Sequence, residues 1–139
     1  MLVYVLINSY DDTIEGVYTE SGKVAKEEEQ VKQAMIARNR EIERLTAQIS
    51  EFKIIRQPYI DKAEALLVEE AEAKSVDSGG MFKQIRKERK RALRQADQIT
   101  NSIHRLEDKI LQYERLLQSE LLNIFNRDYY WEEHYLEGE

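Results

Sequence analysis

Hydrophobic positions along this chain follow two different periods. Leu2 to Asn8 is apolar at nearly every position, the pattern of a short strand covered on both faces. Tyr10-Asp11-Asp12-Thr13 supplies turn chemistry, and Ile14 to Tyr18 reads as a return strand. Towards the other end, Tyr129 to Leu136 alternates. Tyr129, Trp131, Glu133 and Tyr135 lie to one side of an extended chain there, and Tyr130, Glu132, His134 and Leu136 to the other. A two-stranded hairpin alone is marginal in water, so the third segment is expected to close a small antiparallel sheet with the first two.

Between these ends the period changes from two to about three and a half. From Val31 one position recurs as Val31, Arg38, Leu45, Phe52, Tyr59 and Leu66, and its partner as Met35, Ile42, Ile49, Arg56, Ala63 and Glu70. From Phe82 the series is Phe82, Arg89, Ala96, Ile103, Ile110, Leu117 and Ile124, partnered by Ile85, Ala92, Ile99, Leu106, Tyr113 and Glu120. Most of these positions are apolar, and a 3–4 spacing sustained this long favours a coiled coil over an ordinary surface helix. Thr19 or Ser21 can cap the first helix. Its series keeps phase across Pro58, which predicts a kinked but continuing helix. The second is expected to run without a break for about 45 residues, roughly 65 Å.

Ser75 to Gly80 is where the chain must turn. Folding there makes the two helices antiparallel neighbours, with facing residue numbers that sum to roughly 156. That register sets Ile49 near Leu106, Phe52 near Ile103 and Ala73 near Phe82. The expected fold class is α+β, mostly α: a long antiparallel helical hairpin, kinked near Pro58, projecting from a three-stranded antiparallel sheet formed by both termini. As one domain, 1–139 would hold a sheet head at 1–19 plus 128–137 and a coiled-coil arm at 20–127, turning at 75–80.

Composition removes several classes of function. The 139 residues include no Cys, so neither a disulfide scaffold nor a thiol nucleophile nor thiolate-bound metal is expected. The formal net charge is −6, unlike a general nucleic-acid coat. The run Leu2 to Ile7 is too short for a membrane span and lacks the flanks of a signal peptide. These features predict a cytoplasmic protein without a membrane partner. His104 with Asp108, and His134 beside Glu132 and Glu133, are too few ligands for a metal site. No carboxylate sits in a recognisable apolar pocket, and no nucleophile motif or phosphate-cradling loop is present. No enzymatic activity, cofactor or metal is expected.

Two features remain as candidate sites. Tyr129, Tyr130, Trp131 and Tyr135 put amphipathic rings on both faces of the small sheet, and such rings are common binding anchors. The second feature is the run from Lys83 to Arg94, with seven bases and one acid. Lys83, Arg86, Lys87, Lys90, Arg91 and Arg94 could contact phosphates. In the hairpin register, however, this run faces Asp61, Glu64, Glu69, Glu70, Glu72 and Asp77, which could neutralise it internally. The seam positions Arg38, Arg56, Glu70, Arg89 and Glu120 read as register-fixing polar residues. Ile55, Leu67, Val68, Leu93, Leu111, Leu116 and Leu122 lie off the seam, so a homodimer or another protein partner is expected to cover them.

The stretches Val3-Tyr4-Val5-Leu6, Ser9-Tyr10-Asp11-Asp12 and Ile14-Glu15-Gly16-Val17-Tyr18, with the acidic, aromatic Tyr130 to Leu136, resemble a group of short uncharacterised phage and bacterial proteins. Here a long helical hairpin replaces the short helix and loop of that group. The resemblance implies a phage or mobile-element setting, with host cytoplasm as the location. There such a protein would bind and inhibit or modulate a host protein complex such as a defence nuclease. The sequence thus reads as a non-enzymatic protein-interaction module, with nucleic-acid binding by Lys83 to Arg94 as the alternative.

Overall fold

The computed structural model describes residues 1–76 and 80–136. Strand β1 (Leu2–Asn8) and strand β2 (Ile14–Tyr18) lead into helix α1 (Glu20–Ser75). Helix α2 (Met81–Glu114), helix α3 (Gln118–Phe125) and strand β3 (Tyr129–Tyr135) follow. Part of the expected turn, residues 77–79, lies outside the described residues. Among the described residues no helix is long and apolar enough to cross a membrane. The chain forms two compact units, one of residues 1–42 with 112–139 and one of residues 43–111.

In the first unit the three strands form an antiparallel sheet in the order β2-β1-β3. As the central strand, β1 satisfies its backbone on both sides. Val3, Tyr4, Val5, Leu6 and Ile7 are all buried, which explains its nearly unbroken apolar sequence. The turn into β2 closes locally. The Asp11 carboxylate accepts from the Thr13 amide at 3.1 Å and from the Thr13 hydroxyl at 2.7 Å. Asp12 takes a left-handed conformation with φ 56°, one that short polar residues tolerate better than most. Helix α1 begins where Thr19 Oγ1 accepts from the Gly22 amide, so Thr19 rather than Ser21 fills the cap.

The second unit is the paired part of the hairpin. Leu45, Ile49, Ala63, Leu66, Ala92, Ala96 and Ile103 are buried along its seam. Two polar contacts fix the antiparallel register. Arg86 donates from Nε to Glu70 at 2.7 Å, and Arg56 donates from Nη1 to Thr100 Oγ1 at 3.0 Å. In both pairs the residue numbers sum to 156, the value expected from the turn. Arg89 adds a second 2.7 Å bond to Glu70. Three of the five expected polar intrusions therefore lie in cross-helix contacts. Helix α1 also continues through Pro58, as the unbroken phase of its series predicts.

Two sequence expectations need correction. Met35, a predicted seam position, is 41% exposed, while Gln30 and Ala34, off the predicted series, are buried. The remainder of the first series holds: Val31, Arg38, Leu45 and Phe52 are buried or half-buried at their seven-residue spacing. In the first unit helix α1 therefore buries a face wider than one seam, and the small side chain of Ala34 suits close packing there.

The second correction concerns the end of α2. No continuous 45-residue helix forms: α2 stops at Glu114 and α3 begins at Gln118. Leu117 is extended, with φ −70° and ψ 159°, and its amide donates to the Glu120 carboxylate at 3.3 Å. Glu120 therefore acts as the reaching-back half of an N-terminal cap, not as a seam residue. Leu117 and Ile124 are exposed, and Leu121 is buried instead. An edge-to-face contact of Tyr113 with Phe125, 5.5 Å between centroids, joins α2 to α3.

Candidate interaction surfaces

The two faces of the sheet have different surroundings. Tyr4 and Leu6 lie on the face that meets the helices. Tyr18 and Trp131 pack there edge to face with centroids 5.4 Å apart. Lys23 of α1 places its ammonium 4.6 Å from the Tyr4 ring centroid and 5.8 Å from that of Trp131. Val3, Val5 and Ile7 lie on the other face, where cross-strand partners flank them. Val5 sits between Val17 and Glu132, and Ile7 between Ile14 and Tyr130. Ile14 is 65% exposed and Val17 60%. Val3, Val5 and Ile7 are themselves buried, so the solvent-exposed part of this face is the aliphatic pair Ile14 and Val17 on β2 and Tyr130, Glu132 and His134 on β3.

A bulge creates that surface. Leu6 pairs with Gly16, but Ile7 pairs with Ile14, so Glu15 is the extra residue. In a regular strand, residues three apart point to opposite faces. The bulge brings Ile14 and Val17 to the same face, and period-two reading of the sequence misses this. Gly16 has a complementary role on the helix-facing side. A Cβ there would lie 2.7 Å from the Tyr18 ring, so the missing side chain lets Tyr18 cross the bulge towards Trp131.

The four aromatic residues singled out from the sequence divide between these faces. Tyr130 belongs to the open face, and its hydroxyl donates to Asp12 at 3.2 Å. Burial and this bond to Asp12 raise the Tyr130 pKa. Tyr129, Trp131 and Tyr135 have the opposite parity on β3. Trp131 is half-buried against Tyr18 and Lys23, Tyr129 is partly exposed, and Tyr135 is 77% exposed beside Leu2. Two adjoining cavities of about 240 and 410 Å³ lie between this sheet face, α1 and α3, with Gln30, Asn126 and Tyr129 on both walls. Gln30 is buried and marks a polar interior that its place off the predicted seam concealed.

The basic run is only partly neutralised by its own molecule. Arg86 and Arg89 hold Glu70 from two sides, and their hydrogen bonds, Arg86 first, lower the Glu70 carboxyl from its ordinary 4.5. Among the described residues, Glu70 is the one acid facing the run that forms ion pairs with it. Asp61 instead accepts from Gln57 on its own helix at 2.8 Å. Lys83, Lys87, Lys90, Arg91 and Arg94 are exposed. Internal neutralisation, expected for the whole run, is thus confined to the residues beside the seam. Asp77 lies outside the described residues.

His134 and Glu132 share a face of β3 and approach to 2.9 Å. Among the described residues no group of three or more His, Asp or Glu side chains could hold a metal ion. Comparison with protein-family models, with curated proteins and with solved structures finds no match.

Proposed function

We propose that this protein is a non-enzymatic interaction module that docks a protein partner on the open face of its sheet. The observation that carries this reading is the exposure of Ile14 and Val17 beside Tyr130, over the apolar row Val3, Val5 and Ile7. Two large exposed aliphatic side chains with an aromatic residue on the same face suit a binding surface. Tyr130 is its anchor from the four aromatic candidates. Trp131 supports the patch from behind through Tyr18, while Tyr135 and Tyr129 offer ring surface on the other face. The resemblance of the terminal strands to phage and bacterial proteins makes a host protein complex the expected target, with inhibition or modulation as the outcome.

A homodimer belongs to the same reading. Ile55, Leu67, Val68 and Leu93 are exposed on the second unit, and a second helical hairpin would cover them in a four-helix body.

The test compares wild type with Val17→Arg and Tyr130→Ala by light scattering and by capture of host-lysate proteins at low and high salt. Val17 and Tyr130 lie on the patch, so both variants should lose a salt-resistant partner while keeping the circular dichroism of the wild type. Capture of the same partner by Val17→Arg would overturn the assignment of the surface.

A further inference from the structure

The bases that Glu70 leaves unpaired form a line on α2. At 100° per residue, Lys83, Lys87, Lys90 and Arg94 fall within about 60° of one another, roughly opposite the seam positions Ala92 and Ala96. They span about 16 Å along the helix axis. Arg91 flanks the line. Glu88, the run's single acid, lies about a third of a turn away and accepts from Gln84 at 3.5 Å. Lys83, Lys87, Lys90, Arg91 and Arg94 have no ion pair among the described residues.

This arrangement opposes the helix's own electrostatics. The N-terminus of a helix carries partial positive charge and favours acids, yet the first turn of α2 contains no acid and includes Lys83. Lys83 alone of the five lies in that first turn, and the other four add mutual repulsion along the same side of the helix, which an anionic partner would relieve. The partner's chemistry follows from what surrounds the line. No aromatic residue lies along it, so stacking of unpaired bases is not provided for. Phe82, next to the run, is engaged by Arg86 at 5.0 Å. What remains is a rod of cations matched to a regular row of phosphates. A helix fits the major groove of B-form DNA, whereas the A-form major groove is too deep and narrow.

We infer that the line Lys83, Lys87, Lys90 and Arg94, flanked by Arg91, docks on the phosphate backbone of duplex DNA without reading its sequence. This site lies in the second unit and is separate from the sheet face proposed for the protein partner.

Fluorescence anisotropy with a labelled random-sequence DNA duplex tests the inference. About five phosphate contacts predict a slope near −4.5 of log affinity against log salt, a loss of roughly 500-fold between 50 and 200 mM. Replacing Lys83, Lys87, Lys90 and Arg94 together by Gln should reduce affinity at 50 mM by at least about 100-fold and flatten the slope to near −1. The pair Lys87→Gln with Lys90→Gln, a milder change, should lower the slope by about two. Val17→Arg should bind the duplex like wild type, which separates failure of this site from failure of the sheet face. No duplex binding at 50 mM would overturn the inference, as would unchanged binding by the fourfold variant. Tighter binding of a single strand or of polyglutamate would do the same. A wild-type dimer that the fourfold variant dissolves would assign the line to a second copy instead.

Discussion

The two units of this chain are stabilised in different ways, and they differ in how directly sequence specifies them. The hairpin unit repeats one contact pattern, with alanines at three of its buried seam positions, Ala63, Ala92 and Ala96. Small residues there allow close helix approach but bury little area each, so the large buried side chains Leu45 and Ile103 should carry much of the hydrophobic term. The sheet unit instead concentrates burial in one central strand, five consecutive residues of β1. The charges are divided unevenly as well. The sheet unit holds 15 acidic and 7 basic residues, the hairpin unit 12 and 14. The overall charge of −6 thus conceals a strongly acidic unit and a slightly basic one. Arguments from net charge against anionic partners do not reach the second unit.

Truncation of the core should give the largest effects on this comparison. Leu45→Ala in the hairpin and Leu6→Ala in the sheet should each cost about 2–5 kcal/mol in urea unfolding. If hydrophobic burial is as concentrated as the structure indicates, Leu6→Ala should also disturb the near-ultraviolet signal of Trp131, its cross-strand partner. Leu45→Ala should leave that signal intact. Equal disturbance by both would contradict the division.

Gly16→Ala should come next. Its Cβ would meet the Tyr18 ring, displacing it from Trp131 at a cost of about 1–3 kcal/mol and shifting the Trp131 fluorescence to longer wavelength. An alanine variant with unchanged emission would show that the bulge does not need the glycine.

A smaller effect, of opposite sign, is expected in the hairpin. Arg56 is half-buried, and its Nε has no hydrogen-bond partner. Arg56→Leu should leave stability unchanged or raise it by up to about 2 kcal/mol. A clear loss would mean that the bond to Thr100 outweighs desolvation of the guanidinium.

The smallest effect is an acid response. Glu70 has a lowered folded-state pKa, so it adds stability above its ordinary 4.5 that is lost as pH falls through the lowered value. Glu70→Gln should flatten the decline of melting temperature on acidification below about pH 4.5. Asp11, lowered chiefly by the Thr13 hydroxyl, acts in the same direction and leaves a residual slope. An unchanged profile in Glu70→Gln would remove Glu70 from the acid response.

What sequence could show follows from the same contrast. A two-helix seam is a one-dimensional problem. Its period and its turn sufficed to give a register that Glu70–Arg86 and Arg56–Thr100 match. The strands were legible because β1 is apolar throughout and β3 alternates. The departures arise where local packing or capping adds to the simple period. Helix α1 buries Gln30 and Ala34 beside its predicted series and leaves Met35 exposed, and Glu120 reaches back to Leu117 to start a new helix, α3, beyond the end of α2 at Glu114. The extra residue Glu15 turned Ile14 onto the face of Val17. Counting apolar residues could not find the open face, because its two most exposed members lie together only through that bulge. The aromatic candidates were visible, but their division between two faces depends on which side the helices cover. Pairing of the basic run was overestimated for a related reason: acids facing a base across a hairpin still need a rotamer that reaches it, and Glu70 has one.

The most direct test of the interaction-module account is photo-crosslinking in host lysate from a benzophenone amino acid placed at Val17, with a second protein carrying it at the exposed Glu51 on α1. The account predicts one abundant crosslinked protein from position 17 that persists at high salt, is absent from position 51 and disappears when Tyr130→Ala is added. The same adducts from both positions, or adducts at position 17 that Tyr130→Ala leaves unchanged, would contradict it.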